Sequence, residues 1–151
     1  MTGQSLLAYF AGLFDGEGCI HAHFIKDNKG ETPRSCVKVT LSMVHPGAVR
    51  MLFETYGGSL KSYPGKGINR TKWCWWLGQR ASAKFLEDLL PYLVVKKEEA
   101  VLALELCARI KLTGKASKGH WGTLPIPEDE YIYRATLVNQ IRSLKRQEFL
   151  N

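Results

Sequence analysis

The nine residues Phe10-Ala11-Gly12-Leu13-Phe14-Asp15-Gly16-Glu17-Gly18 constrain this chain more than any other stretch. The apolar run leading into them, Leu6 to Phe14, is too long for an ordinary strand and far too short to span a bilayer. A helix capped by Ser5 is expected, with Ala8, Ala11 and Gly12 on one face at i, i+3 and i+4 spacing. A glycine inside a helix costs roughly 1 kcal/mol relative to alanine. That cost is understandable where a second backbone comes close, because small residues on one face shorten the distance between helix axes. The helix is expected to stop in Asp15-Gly16-Glu17-Gly18, where glycines free the backbone and two carboxylates meet the negative end of the helix dipole. Each acid there is disfavoured by about 0.3–1 kcal/mol. A positive group is therefore expected at that end, and a divalent cation is the natural candidate.

Charge points the same way. The chain carries a net charge of +7, which favours a polyanionic partner. Its distribution says more than the total: between Thr32 and Leu86 nine basic residues face a single acid, Glu54. A solvated face would mix the signs, so nucleic acid is the expected partner. A length of 151 residues suits one domain, 1–151, with a core at about 5–110 and a C-terminal loop and helix over 111–151. The four cysteines, Cys19, Cys36, Cys74 and Cys107, have no spacing suited to zinc. Unpaired thiols, and no charged n-region ahead of the first helix, predict an intracellular protein of cytoplasm or organelle matrix, not a secreted one.

After the nine residues, Cys19 to Lys26 alternates, with Ile20, Ala22 and Phe24 on one side and His21, His23 and Ile25 on the other. A turn is expected at 27–30. Val37, Val39, Leu41 and Met43 then alternate with Lys38, Thr40, Ser42 and Val44, completing a half-buried hairpin whose second face carries donors. Such a face can read base edges in a major groove; the same polarity also suits a side that merely meets solvent. Pro46 opens a helix ended by Gly57-Gly58. Ser59 to Tyr63 and Thr71 to Leu77 read as strands, the second with Trp73, Trp75 and Leu77 inward and Lys72, Cys74 and Trp76 outward. Helices are expected at about Ala81 to Leu90, Lys97 to Ile110 and Glu128 to Phe149, with a loop over Lys111 to Pro127.

The motif Ala-Gly-Leu-x-Asp-Gly-acid-Gly resembles the signature of the LAGLIDADG homing endonucleases, with Phe10 and Phe14 replacing two aliphatic residues and Gly16-Glu17 standing for Ala-Asp. The element order matches that family's α+β core, αββαββα, a saddle-shaped antiparallel sheet, here with additional C-terminal helices. The resemblance covers roughly the first 110 residues. It implies a site-specific endonuclease that binds a long pseudo-palindromic double-stranded DNA site as a homodimer and hydrolyses one phosphodiester in each strand. One chain offers one acid at the motif, so cutting both strands needs two copies. Ala8, Ala11, Gly12 and Asp15 are the expected interface. By resemblance Glu17 is the metal ligand, Gly16 adds a backbone oxygen, and Asp15 orders the helix end. Mg²⁺ is the implied metal, with Mn²⁺ able to substitute and Ca²⁺ supporting binding without cleavage. Lys96 matches the family's active-site lysine, and His45 and Arg50 fall near residues that organise water there. Glu17 is one methylene longer than the aspartate of many relatives.

For DNA, strand parity selects His21, His23 and Ile25, joined by Arg34, Lys38, Thr40, Ser42, Ser59, Lys61, Tyr63, Lys66, Arg70 and Lys72. Lys111, Lys115 and Lys118, with Arg142, Lys145 and Arg146, are placed to serve phosphates. Two rival readings remain: a non-catalytic DNA-binding regulator on the same fold, and an RNA maturase that assists intron splicing. The retained acid weighs against the first, and the single motif against the second.

Overall fold

The computed structural model describes residues 2–25, 34–114 and 126–147, with residues 111–114 and 147 as backbone only. Its elements run α1 (Gly3–Glu17), β1 (Gly18–Ile25), β2 (Arg34–Met43), α2 (Pro46–Tyr56), β3 (Ser59–Tyr63), β4 (Lys72–Leu77), α3 (Gln79–Leu89), α4 (Lys97–Gly114) and α5 (Glu128–Gln147). The four strands form one antiparallel sheet in the order β1-β2-β4-β3. The expected αββαββα order is present, and α5 adds a further helix.

The alternating pattern of the strands sorts the sheet into two faces. Ile20, Ala22, Val37, Val39, Leu41, Trp75 and Leu77 point to the helices and are buried. Phe10, Ala11 and Phe14 of α1, Phe85, Leu86 and Leu89 of α3, and Ala100, Ala103 and Leu106 of α4 close over them. Burying one such Leu, Ile or Phe side chain contributes about 1.5–3 kcal/mol. Trp75 lies at the centre: its indole donates to the Gly57 carbonyl at 2.8 Å and meets Phe85 edge-on at 5.3 Å. Gly57 and Gly58 have φ of 68° and 87°, the left-handed backbone that turns α2 into β3. Cys107 belongs to this core, and burial pushes its thiol up to about 12.

Three departures from the sequence reading have simple causes. The cap of α1 is Thr2, whose hydroxyl accepts from the Ser5 amide at 3.3 Å; Ser5 sits inside the first turn. Neither Gly16 nor Gly18 uses a left-handed backbone. A Cβ on Gly18 would lie 2.0 Å from the buried Phe14 ring, so close approach is what requires that glycine. Finally, α4 continues past Ile110 to Gly114, because no breaker intervenes before that glycine.

Strand β2 outruns its partner β4, leaving amides that need acceptors. Gln79 Oε1 accepts from Val37 N–H at 3.2 Å, and Ser82 Oγ accepts from Val39 N–H at 3.0 Å. On the opposite edge α5 covers β1: the Lys145 ammonium donates to the Ile20 carbonyl and lies 3.2 Å from the Cys19 sulfur. Phe24 meets Tyr131 there at 5.6 Å between ring centroids. Glu130 joins α5 to α4 by accepting from Arg109 at 2.5 Å, and within α5 it accepts from Arg134 at 3.1 Å. Among the described residues no helix is long and apolar enough to cross a membrane.

Candidate active site and nucleic-acid interface

Helix α1 ends at Glu17, and β1 begins at Gly18, so the acid stands where the chain enters the sheet. Glu17 and Gly16 are exposed, and the Glu17 carboxylate has no hydrogen bond or ion pair among the described residues. Asp15 is used differently. Its two carboxylate oxygens accept the amides of Val94 at 2.8 Å and Lys96 at 2.9 Å, which fixes the segment leading into α4. The Lys96 ammonium returns to the Asp15 carbonyl at 2.5 Å. A cation thus sits at the negative end of α1, and part of the positive charge expected there is supplied by the chain itself.

This reciprocal clasp predicts a measurable stability term. Asp15→Ala removes two charge-assisted hydrogen bonds at once and is expected to lower unfolding free energy by about 2–3 kcal/mol in urea titrations. Asp15→Asn keeps one acceptor oxygen and should lose about half as much. Equal losses for both variants would show that the bond asparagine retains contributes nothing.

His45 and Arg50 belong to the same helix, His45 as its cap and Arg50 within it. His45 caps α2, its Nδ1 accepting from the Gly47 amide at 3.1 Å, so the neutral ring carries its proton on Nε2. Gly18 pairs with Leu41, so β2 leaves the sheet beside Glu17 and delivers His45 to that end. One position along α2 from buried Val49, Arg50 is turned to Trp73, with its guanidinium 5.2 Å from the ring centroid. Trp73 pairs with Met43 and Ser62 on the helix-covered row of the sheet. The Arg50 guanidinium thus stacks on Trp73, whose partner Met43 lies two residues beyond the Gly18–Leu41 pair.

The other face of the sheet is open. Cross-strand pairs Cys19–Thr40, His21–Lys38, His23–Cys36 and Ile25–Arg34 lie on it, continued by Ser42 and Cys74, Thr40 and Trp76, Ser59, Lys61, Tyr63 and Lys72. No acid occurs among these outward strand residues. The expected outward assignment of Lys72, Cys74 and Trp76 agrees with this register. Lys66 and Arg70 are exposed in the β3–β4 turn. Lys115 and Lys118, the Lys111 side chain and the expected turn at 27–30 lie outside what the structure describes. Lys145 is engaged with β1 rather than held out for phosphate.

The two histidines on this face titrate abnormally. Burial first, then Lys145 and Lys38, holds His21 below its ordinary value of 6.5. His23 is lowered by burial and by His21, Arg142 and Lys38. His21 Nε2 lies 2.9 Å from Thr40 Oγ1, so a neutral ring serves as a hydrogen-bonding group. Because the unfolded chain binds these protons more readily, stability is full above 6.5 and is lost as pH falls towards the depressed folded values. Thermal melts of the free protein should show this fall, and His21→Gln should reduce it. A flat profile would mean that the rings meet no such environment.

The interface residues of α1 also sort themselves. Ala8 and Gly12 are exposed, but Ala11 is fully buried in its own core and Asp15 is committed to Val94 and Lys96. The open row is Ala8, Gly12 and Gly16, at i, i+4 and i+8. An added Cβ meets nothing within 4 Å at either glycine. Ala11 is a core residue because it lies one helical position from Phe10 and three from Phe14, both fully buried.

Taken together, the molecule is an α+β protein with a helix-backed sheet, an outer face whose described strand residues include cations and no acid, and an exposed carboxylate where the first helix meets that sheet. No family profile and no curated protein matches the sequence. Solved structures do. I-CvuI, a homing endonuclease in complex with its target in the presence of 2 mM Ca, superposes with a TM-score of 0.65 at 21% identity, over 93% of this chain and 82% of its own. For the homing endonuclease I-TnaI the TM-score is 0.60 at 12% identity, over 93% of both chains. I-GzeII, a LAGLIDADG homing endonuclease in complex with a DNA target, gives 0.59 at 12%, over 91% of this chain and 43% of its own. The chain has the fold of the LAGLIDADG homing endonucleases.

Proposed function

We propose that this chain is a single-domain, site-specific DNA endonuclease. It binds a long pseudo-palindromic duplex as a homodimer and hydrolyses one phosphodiester in each strand. The observation that carries this reading is the solitary carboxylate of Glu17, exposed at the border of a face whose strands hold cations and no acids. A carboxylate in that setting repels DNA unless something positive intervenes. I-CvuI, crystallised with its target in Ca²⁺, and I-GzeII, crystallised with DNA, share the fold and support this reading.

The donors at the end of α1 are hard oxygens, the Glu17 carboxylate and the Gly16 carbonyl, and these suit Mg²⁺ or Mn²⁺. Among the described residues no three histidine, cysteine or acidic side chains gather into a cage, so one chain supplies only part of a coordination shell. A second copy and the phosphate oxygens of DNA would complete it. Bound there, a divalent ion would neutralise phosphate charge and lower the proton affinity of an attacking water. Glu17 would hold and orient the ion. Lys96, held at Asp15, would set a fixed positive charge near the scissile phosphate, and His45, at the cap of α2, would order solvent. The sheet positions the duplex through its polar row, while Lys66 and Arg70 serve phosphates.

The test is selection of cleaved products from a randomised duplex library in Mg²⁺, run beside Ca²⁺. Recurrent cutting at one near-palindromic sequence, with binding alone in Ca²⁺, supports the endonuclease. Binding without cutting in every metal favours a DNA-binding regulator on the same fold. Preferential binding of structured RNA would move the chain to the maturase class.

A further inference from the structure

Trp76 occupies an unusual position on the cationic face. It lies on β4, an inner strand of the sheet, with Thr40 opposite on β2 and Ser59 opposite on β3. Both neighbours are small hydroxyl residues, so the half-buried indole is the bulkiest group in its row. The core already holds Trp75 on the other side of the same strand. Trp76 therefore adds apolar surface where the sheet is otherwise polar.

Two cations are gathered on this ring. Lys38 Nζ, from β2, lies 5.1 Å from the ring centroid, and Lys61 Nζ, from β3, lies 5.7 Å from it. An ammonium over an indole face is attracted by the ring quadrupole. The same attraction offsets mutual repulsion of the two like charges and gathers one donor from each flanking strand at Trp76. With cations over the ring, its apolar edge is left for contact, and a base stacked on it would compete with a lysine.

A major groove offers one apolar group, the C5-methyl of thymine, among acceptors that suit lysine, notably guanine O6 and N7. We propose that Trp76 reads a thymine methyl in each half of a duplex site, with Lys38 and Lys61 held by its ring toward acceptor-bearing bases on either side. This rests on the duplex-DNA reading of the sheet. It assigns specificity to a residue whose large apolar side chain gives no sign of DNA contact in the sequence.

The experiment compares duplexes enriched by binding in Ca²⁺ for the wild-type chain, Trp76→Ser and Trp76→Phe, followed by replacement of single thymines with deoxyuridine. Wild type should select a thymine at one symmetric position and bind about fourfold more weakly when that methyl is removed from one half-site. Trp76→Ser should lose that preference and ignore the uracil, while Trp76→Phe, which keeps an apolar ring, should retain it. An unchanged thymine preference in Trp76→Ser, or in a folded Trp76→Phe its loss, overturns the assignment alone. Failure of the wild type to enrich any duplex overturns the DNA reading as well. Tighter binding of single-stranded DNA than of duplex would assign the ring to base stacking instead.

Discussion

Glu17→Gln is expected to reduce strand cleavage at the selected site by at least about a thousandfold, equivalent to roughly 4 kcal/mol of transition-state stabilisation. Folding stability and duplex affinity should stay near wild type. The reasoning separates these outcomes cleanly. Glu17 is exposed and makes no bond within the described residues, so its charge supports nothing in the fold, and removing it from the negative end of α1 should at most raise stability by about 0.3–1 kcal/mol. The amide preserves shape and length while removing the anion that would hold a hard cation. Affinity for DNA should hold or rise, since a negative charge leaves a face that is otherwise positive. Cleavage measured by single-turnover kinetics, with binding measured in Ca²⁺, gives both readouts. A variant that still cuts at wild-type rate would show that the catalytic carboxylate lies elsewhere.

The same residue shows why so much of the fold could be read from sequence. Alternation is strict in β1 and β2, so the sides of Ile20 and His21, or of Val39 and Lys38, follow from a period of two. Even the crowded strand with Trp73, Trp75 and Trp76 was correctly sided, since Leu77 and Trp75 share its buried row. The helix turns were marked by Pro46 and Gly57-Gly58.

What could not be read depended on three-dimensional partners. Ala11 and Gly12 look equivalent as small residues, and only the position of Phe10 and Phe14 against the core decides that Ala11 turns inward. The contact of the Arg50 side chain with Trp73 joins a helix to a strand and has no local sign in the sequence. Lys145 carries no local signal that it will reach the edge of β1, 125 residues away. The bond from Asp15 to the amide of Lys96 spans 81 residues and joins two segments that sequence spacing alone does not bring together.

The second large effect concerns assembly. Gly12→Arg is expected to leave the isolated chain folded while weakening homodimerisation by about 30-fold to 10⁴-fold, and to abolish double-strand cleavage with it. Two opposing contributions make this a discriminating test. Within one chain a Cβ at Gly12 meets nothing within 4 Å, and replacing a mid-helix glycine with a better helix former gains up to about 1 kcal/mol. Thermal stability of the monomer should therefore rise or hold. At a two-fold interface each substitution counts twice, and forcing a side chain between close helices costs about 1–3 kcal/mol per copy. Sedimentation at micromolar protein, with and without duplex, reads the dimer directly, and a nicking assay reads its chemical consequence. The neighbouring exposed Tyr9 provides the contrast: Tyr9→Arg lies off the Ala8–Gly12–Gly16 row and should disturb assembly far less. If Gly12→Arg dimerises as well as wild type, the open row is not the contact surface. The two acids must then be brought together by another face of the molecule.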